Sequence, residues 1–219
     1  LHTAMETAAI VVSMLIFGIA WNAFSDSRPG NIVLLGVVLF GTALLDFGHM
    51  LGYRGMPDFV TPASPQKAIV FWLGARLLVA VGLLAAALRP WEPMLDSRGR
   101  YRLLAGVFIY VAGLYGVQLL KPDLVPDFFI PGQGLTALKI SLEYGLVLIY
   151  GLAAIIFYRR AHAGATFNAA DLFRASSVAV LSELCFTQYA SVSDIYNLAG
   201  HIFKIVSYGF IYRAVFIAS

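Results

Sequence analysis

The chain has 219 residues, of which 60% are hydrophobic and only 12% are charged, and its net charge is +3. Soluble domains carry about 25% charged residues, so this composition excludes a soluble globular domain and predicts an integral membrane protein. The basic residues flank apolar runs, which is typical of topology signals and not of a nucleic-acid surface. The sequence has one cysteine, Cys185, which excludes an internal disulfide and a cysteine metal cluster.

Seven apolar runs follow one another along the chain, and each is long enough for the roughly 20 residues of a transmembrane helix. They cover about residues 5–24, 31–52, 68–88, 101–121, 136–158, 174–192 and 198–217. We therefore predict one all-α domain over residues 1–219, built as a bundle of seven transmembrane helices. Because the chain starts at Leu1 without Met and stops soon after Arg213, we expect it to be a domain of a longer protein.

Basic residues in the predicted loops indicate the orientation of the bundle. With the N-terminus outside, the cytoplasmic loops hold Arg28, Arg89, Arg98, Arg100, Arg102, Arg159, Arg160 and Arg174. The outer loops then hold Arg54, Lys67 and Lys121. Because loops rich in Lys and Arg stay in the cytoplasm, we predict an outer N-terminus and a cytoplasmic C-terminus.

Ionisable side chains interrupt the apolar runs, and in this orientation most of them lie in the outer half. They are Glu6, Asp46, His49, Arg76, Lys139, Glu143, Glu183, His201, Lys204 and, at the cytoplasmic end, Arg213. A charge at the bilayer centre costs about 2.5–3.5 kcal/mol on insertion scales, so such residues usually face the bundle interior and are functional. We expect a ligand site formed by His49, His201, Glu183, Glu143, Lys204, Asp46, Lys139 and Glu6.

Helical spacing shows which of these residues share a face. Asp46 with His49, and Lys139 with Glu143, stand one helical turn apart. The last run carries a polar stripe that we expect to point inward, formed by Asn197, His201, Lys204, Tyr208 and Tyr212.

Other residues have a simpler explanation at the membrane boundary. Long side chains near a helix end can extend to the interface, which we expect for Glu6, Lys139 and Arg213. Tryptophans near span ends are typical of an interfacial belt, which we expect for Trp21, Trp72 and Trp91.

Four separated polar motifs occur along the chain. They are Leu45-Asp46-Phe47-Gly48-His49 with Tyr53-Arg54-Gly55-Met56, Gly134-Leu135-Thr136-Ala137-Leu138-Lys139-Ile140 with Glu143-Tyr144, Glu183-Leu184-Cys185-Phe186-Thr187 with Tyr189, and Asn197-Leu198-Ala199-Gly200-His201 with Lys204. In this order they resemble the membrane-associated sensor (MASE) family of the third type, and the resemblance runs from Glu6 to Arg213.

The resemblance implies a seven-helix sensor domain in the cytoplasmic membrane of a bacterium. It implies that the domain precedes a histidine kinase or a GGDEF diguanylate cyclase, so its partners would be the lipid bilayer and its own C-terminal effector module. A homodimer is expected from these effectors. The sensor domain itself is then not an enzyme, and its ligand does not follow from the resemblance.

The residues leave the stimulus open between several classes. A zinc, copper or iron ion would suit imidazole and carboxylate ligands, here His49, His201, Glu143 and Glu183, although the nearby Lys139 and Lys204 disfavour a cation. One haem held by His49 and His201, with His2 near, is a second class.

A quinone or another small amphiphile is a third class, because aromatic side chains could wall an apolar pocket. The candidates are Tyr53, Trp72, Tyr144, Phe186, Tyr189 and Tyr208. The polar groups could also be a structural network that joins helices, with Lys139 paired to Glu143 and Glu183 opposite Arg76.

Overall fold

The computed structural model describes residues 1–25, 27–53, 55–94, 96, 98–188 and 195–218, with side chains as far as Phe216. Over these ranges the chain forms the helices α1 His2–Asn22, α2 Gly30–Gly52, α3 Pro65–Leu88, α4 Arg98–Leu120, α5 Ala137–His162, α6 Ala169–Gln188 and α7 Ile195–Ala218. The loop between α4 and α5 adds a 3₁₀ helix, Pro122–Leu124, and an antiparallel hairpin of β1 Phe129–Ile130 and β2 Gly134–Leu135. The all-α prediction is confirmed.

The distribution of polarity is that of a membrane protein. In the part of the chain that is described, α1 to α5 have the length and apolar composition to cross a membrane. The helices α6 and α7 have 20 and 24 residues and do not meet the same criterion over their described residues, so the exact number of spans stays a prediction, as does the orientation. Large apolar side chains cover the outside, among them Val11, Ile109, Leu148 and Leu152, where lipid would contact them.

The helices are arranged as a ring with one helix outside it. Helix α1 packs against α2 and α7, α3 packs against α2 and α5, and α6 packs against α5 and α7. Helix α4 lies outside this ring, against α2 and α3. Side chains that point inward from α1, α2, α3 and α7 therefore meet inside one bundle.

Two capped helix starts fix backbone next to the site. The Ser64 hydroxyl accepts a hydrogen bond of 3.2 Å from the Lys67 amide, and Pro65 occupies the first turn of α3. The Thr136 hydroxyl accepts a bond of 3.3 Å from the Lys139 amide at the start of α5. These caps satisfy orphan amides of the first turn and set where α3 and α5 begin.

The hairpin is tied to α3 by one side chain. The Gln66 carbonyl oxygen accepts bonds of 2.8 and 3.2 Å from the amides of Phe128 and Phe129. The Gln66 amide nitrogen donates at 2.8 Å to the carbonyl of Pro126. The hairpin therefore has a fixed position beside the start of α3.

Some predicted features lie outside the described residues. These are Arg54 and Tyr189 of the quoted motifs and the end of the sixth predicted span at residues 189–192. The sixth helix begins earlier than predicted, at Ala169, because Asn168 caps it: its side-chain oxygen accepts from the amide of Asp171 at 3.1 Å.

Candidate functional site

Four side chains from α1, α2 and α7 meet at the predicted outer end of the bundle. They are His2, Glu6, His49 and His201, here called the imidazole cluster. One donor atom of each lies within 4.8 Å of those of the others. Glu6, His49 and His201 are buried, and His2 is partly buried. Imidazole and carboxylate at this spacing are a donor set that can hold a transition-metal ion.

Fixed partners orient two of the imidazole rings. His49 Nδ1 lies 2.8 Å from the carbonyl oxygen of Ala68. A carbonyl can only accept, so Nδ1 carries the proton and the lone pair is on Nε2. His201 Nδ1 lies 2.8 Å from Glu6 Oε1, which is an ion-pair contact and places the carboxylate beside this ring nitrogen. A carbonyl or carboxylate on the far ring nitrogen is the usual support of a metal-binding histidine.

His2 brings a third imidazole to the same place. Its Nε2 lies 3.3 Å from His49 Nε2. Two nitrogen ligands at about 2.0–2.1 Å from a tetrahedral zinc ion are separated by about 3.3–3.4 Å, so this distance fits two ligands of one ion. His2 stacks on Tyr53 with ring centroids 3.9 Å apart, which holds its ring against the cluster.

A layer of ion pairs lies directly beside the cluster. It consists of Asp46, Arg76, Lys204 and Tyr208, here called the ion-pair layer. Arg76 donates to both Asp46 oxygens at 3.0 and 3.2 Å and to the Tyr208 hydroxyl at 2.5 Å. Lys204 lies 3.5 Å from Asp46 Oδ2. It also donates to the two Glu6 oxygens at 2.6 and 2.7 Å, so Glu6 joins the layer to the cluster.

Trp72 occupies the junction between the cluster and the layer. Its ring lies 5.3 Å from His49, 5.4 Å from His201 and 4.9 Å from the Lys204 ammonium. Its side chain is 4% exposed. The interfacial-belt prediction for Trp72 was wrong, because a position near the start of a helix can still point into the bundle, and its ring face offers the buried cations a cation–π contact.

A cavity of about 480 Å³ opens beside the imidazoles. Its walls are mostly apolar, with a few polar groups at Gln133, Thr187 and Asn197, and they include Tyr53, Ile69, Trp72, Phe129, Leu135, Ile140 and Phe186. Of the aromatic side chains predicted to wall a pocket, Tyr53, Trp72 and Phe186 do so. Tyr144 is 46% exposed and Tyr208 is buried in the ion-pair layer. The volume falls in the range of small-ligand sites, about 300–1,000 Å³.

A model of the membrane-associated sensor domain family MASE3 matches residues 1–219, the whole chain. The chain belongs to the MASE3 family. It is therefore a sensor domain of a multi-pass membrane protein, as the polar motifs indicated. No curated protein and no solved structure matches it.

In this MASE3 domain, three of the predicted site residues lie apart from the imidazole cluster: Lys139, Glu143 and Glu183. Lys139 lies 2.5 Å from Glu143 Oε1, the i, i+4 pair that the sequence indicated, and donates to the Phe186 carbonyl at 2.9 Å. Glu183 is buried and helps to line a void of about 10 Å³ with Arg76 and Tyr150. Neither Glu143 nor Glu183 belongs to the group of converging donors in the described residues.

Three side chains were expected to extend to the membrane interface, and their exposure in the structure tests this expectation. Glu6 and Lys139 are 0% and 1% exposed, because each finds an opposite charge inside the bundle, so that expectation was wrong for both. Arg213 has a side chain that is 57% exposed, 3.4 Å from Asp171. The predicted inward stripe on α7 is buried at Asn197, His201, Lys204 and Tyr208, and only partly buried at Tyr212.

Two contributions could not be recognised in the sequence. The Ala68 carbonyl that orients His49 is a backbone atom, which no residue type announces. Tyr150 on α5 donates to the Arg76 carbonyl at 3.1 Å, and it stands in the sequence as one aromatic among many apolar residues. The sequence indicates His2 only as a residue near a possible haem, because it precedes the first predicted span.

Proposed function

We propose that this MASE3 domain senses a first-row transition-metal ion, with zinc or copper as the best fit. His2, His49 and His201 would supply the ligands through Nε2, and Glu6 would hold the ring of His201. The observation that carries the proposal is the placing of both Nδ1 atoms against protein groups, His49 on the Ala68 carbonyl and His201 beside Glu6, while the Nε2 atoms of His2 and His49 face each other at 3.3 Å, a spacing at which one ion could replace their contact.

The geometry supports an ion over a haem between His49 and His201. The centroids of these two rings are 6.4 Å apart. The ring of His2 lies 5.2 Å from one and 4.8 Å from the other. A macrocycle between the two rings would have to displace His2, whereas an ion would use it.

Glu6 and Lys204 provide a route from the ion to the cytoplasmic side. An ion at the cluster and the Lys204 ammonium would both be attracted to the Glu6 carboxylate, so they would compete for its negative charge. A movement of Lys204 toward the Asp46 carboxylate, which already lies 3.5 Å away, would then lower its electrostatic energy. His201 and Lys204 are both on α7, whose end leads toward the predicted cytoplasmic effector, so ion binding would favour a different packing of α7. We propose a histidine kinase or diguanylate cyclase as that effector.

The test is metal binding by the full-length protein in nanodiscs, measured by chelator competition and elemental analysis. His49→Ala and His201→Ala should each weaken zinc binding by more than the roughly 10–100-fold that loss of an outer-shell partner costs. His162→Ala is the matched control, because His162 is at the end of α5, apart from the cluster, and its Nδ1 bonds the Tyr158 carbonyl of its own helix.

Effector activity gives the second readout. Zinc should change kinase or cyclase output in the wild-type protein and in His162→Ala, and should have no effect in His49→Ala. If zinc and copper bind equally to the wild type and to both cluster variants, the metal proposal fails.

A further inference from the structure

The charges around the imidazole cluster nearly cancel before any ion binds. In the part of the chain that the structure describes, the buried cations of this region are Arg76, Lys139 and Lys204, and the buried carboxylates are Glu6, Asp46, Glu143 and Glu183. Three cations against four carboxylates leave a formal charge of −1 when all are ionised. Lys67, at the start of α3, adds a buried ammonium that donates to the carbonyls of Phe59 and Thr61 at 2.7 and 2.8 Å. The negative charge of Asp58 interacts with it and offsets it, so this pair leaves the sum unchanged.

A divalent ion would overturn this balance. Its ligands His2, His49 and His201 bind as neutral imidazoles, so the formal charge of the region would rise from −1 to +1. Glu6 cannot offset the ion alone, because Lys204 already lies on both of its oxygens. A buried charge without a counter-charge is costly in a low-dielectric interior. One additional monoanion would restore neutrality.

The coordination geometry leaves a place for that anion. Three histidines fill three positions of a tetrahedral ion, and zinc sites of this kind keep the fourth for water or a ligand from outside the protein. His2, His49 and His201 all face the cavity of about 480 Å³. The fourth position therefore opens on a space with apolar walls that is far larger than a water molecule, whose share of liquid volume is about 30 Å³.

We propose that the cavity binds an amphiphilic carboxylate whose head group completes the coordination of the metal. Its apolar body would lie against Ile69, Leu135 and Ile140, and Gln133 and Asn197 are polar residues of the same cavity wall. This inference rests on the proposed metal site. The stimulus would then be a metal ion together with an organic anion, and each would tighten the binding of the other.

The experiment uses Co²⁺ as the probe, since its visible absorption reports the ligands and geometry of the ion. Full-length protein in phosphatidylcholine nanodiscs is titrated with Co²⁺ alone, then with octanoate, acetate or octanamide. Octanoate should change the Co²⁺ spectrum and tighten Co²⁺ binding about tenfold, within the usual range of binding couplings. Acetate has the same head group without the body, and octanamide has the body without the charge, so both should have much smaller effects.

A cavity variant separates the anion from the metal. Leu135→Trp should fill part of the cavity and abolish the octanoate effect while Co²⁺ still binds. Leu142→Trp is the matched control, because Leu142 is 43% exposed on α5 and does not line the cavity. It should leave both Co²⁺ binding and the octanoate effect intact.

The possible failures are distinguishable. If Co²⁺ binds but its spectrum responds only to pH and never to octanoate, the fourth ligand is water or hydroxide and this inference is wrong while the metal proposal stands. The inference is also wrong, and the metal proposal again stands, if Leu135→Trp keeps the octanoate effect. If Co²⁺ binds no better to wild type than to His49→Ala, the metal proposal itself fails.

Discussion

The imidazole cluster and the ion-pair layer are neighbours inside one bundle, yet their polar atoms are used in opposite ways. In the layer, Arg76 is shared between Asp46 and Tyr208, and its guanidinium lies 4.6 Å from the Trp72 ring. In the cluster, His49 and His201 each place Nδ1 against a protein group, and both residues line a cavity together with His2. Bonds between buried charges stabilise a packing, whereas imidazole nitrogens at a cavity can bind a ligand. The first predicted effect is therefore on stability, and the others are on binding.

Arg76→Met should give the largest effect. Among the described residues it leaves Asp46 with Lys204 at 3.5 Å as its ion-pair partner. Breaking a buried pair costs about 3–5 kcal/mol, so we expect the free energy of unfolding to fall by about 3 kcal/mol. Thermal unfolding in detergent measures it. Arg102→Met is the control: its pair with Asp96 has side chains 73% and 52% exposed, and exposed pairs contribute about 0–1 kcal/mol. Equal losses in the two variants would contradict the role assigned to the layer.

Glu6→Gln tests the link between the two regions. The amide can still contact His201 but cannot supply a negative charge, so zinc affinity should fall about 10–100-fold, as for other outer-shell partners. Chelator competition measures the affinity. An unchanged affinity would show that Glu6 serves the layer alone.

Lys204→Met should act in the opposite direction. It removes the ammonium that lies 2.6 Å from Glu6, so the full carboxylate charge becomes available to the ion and zinc should bind about tenfold more tightly. Lys139→Met is the matched control, because Lys139 is equally buried but pairs with Glu143. A weaker affinity in Lys204→Met would exclude the competition that we propose for signalling.

Glu143→Gln should give the smallest effect. Glu143 lies outside the group of converging donors, so zinc affinity should change by no more than about twofold, within the error of additivity between separate sites. A tenfold loss, measured in the same chelator assay, would return Glu143 to the ligand set that the sequence alone suggested.

Much of the architecture could be predicted from the sequence because it depends on local patterns. Apolar runs gave the helices, and the spacing of His201, Lys204 and Tyr208 on α7 gave the face that is buried. The choice of partners could not be predicted in this way. Glu6 and Lys204 are 198 residues apart, and only the closure of the ring by α1 and α7 brings them together.

The difference between the ligand set predicted from the sequence and the group of donors that converges in the structure has the same origin. The predicted depth in the membrane is similar for Glu143, Glu183 and the histidines, because depth follows from position along a helix. Direction around the bundle depends on which helices are neighbours. Helix α1 packs against α7, which places Glu6 next to His201, whereas α5, which carries Glu143, packs against α3 and α6. Trp72 was misassigned for the same reason.

The position of Trp72 gives the domain an intrinsic optical reporter. Its indole lies within 5.4 Å of the rings of His49 and His201, close enough for a paramagnetic ion held by them to quench its fluorescence. Trp91 stacks on Phe167, and Trp21 contacts Tyr101; both are outside the cluster and would keep their emission. Copper or cobalt should therefore quench the fluorescence of one of the three tryptophans, so that metal occupancy can be followed in unlabelled protein. Zinc would leave the emission intensity largely unchanged.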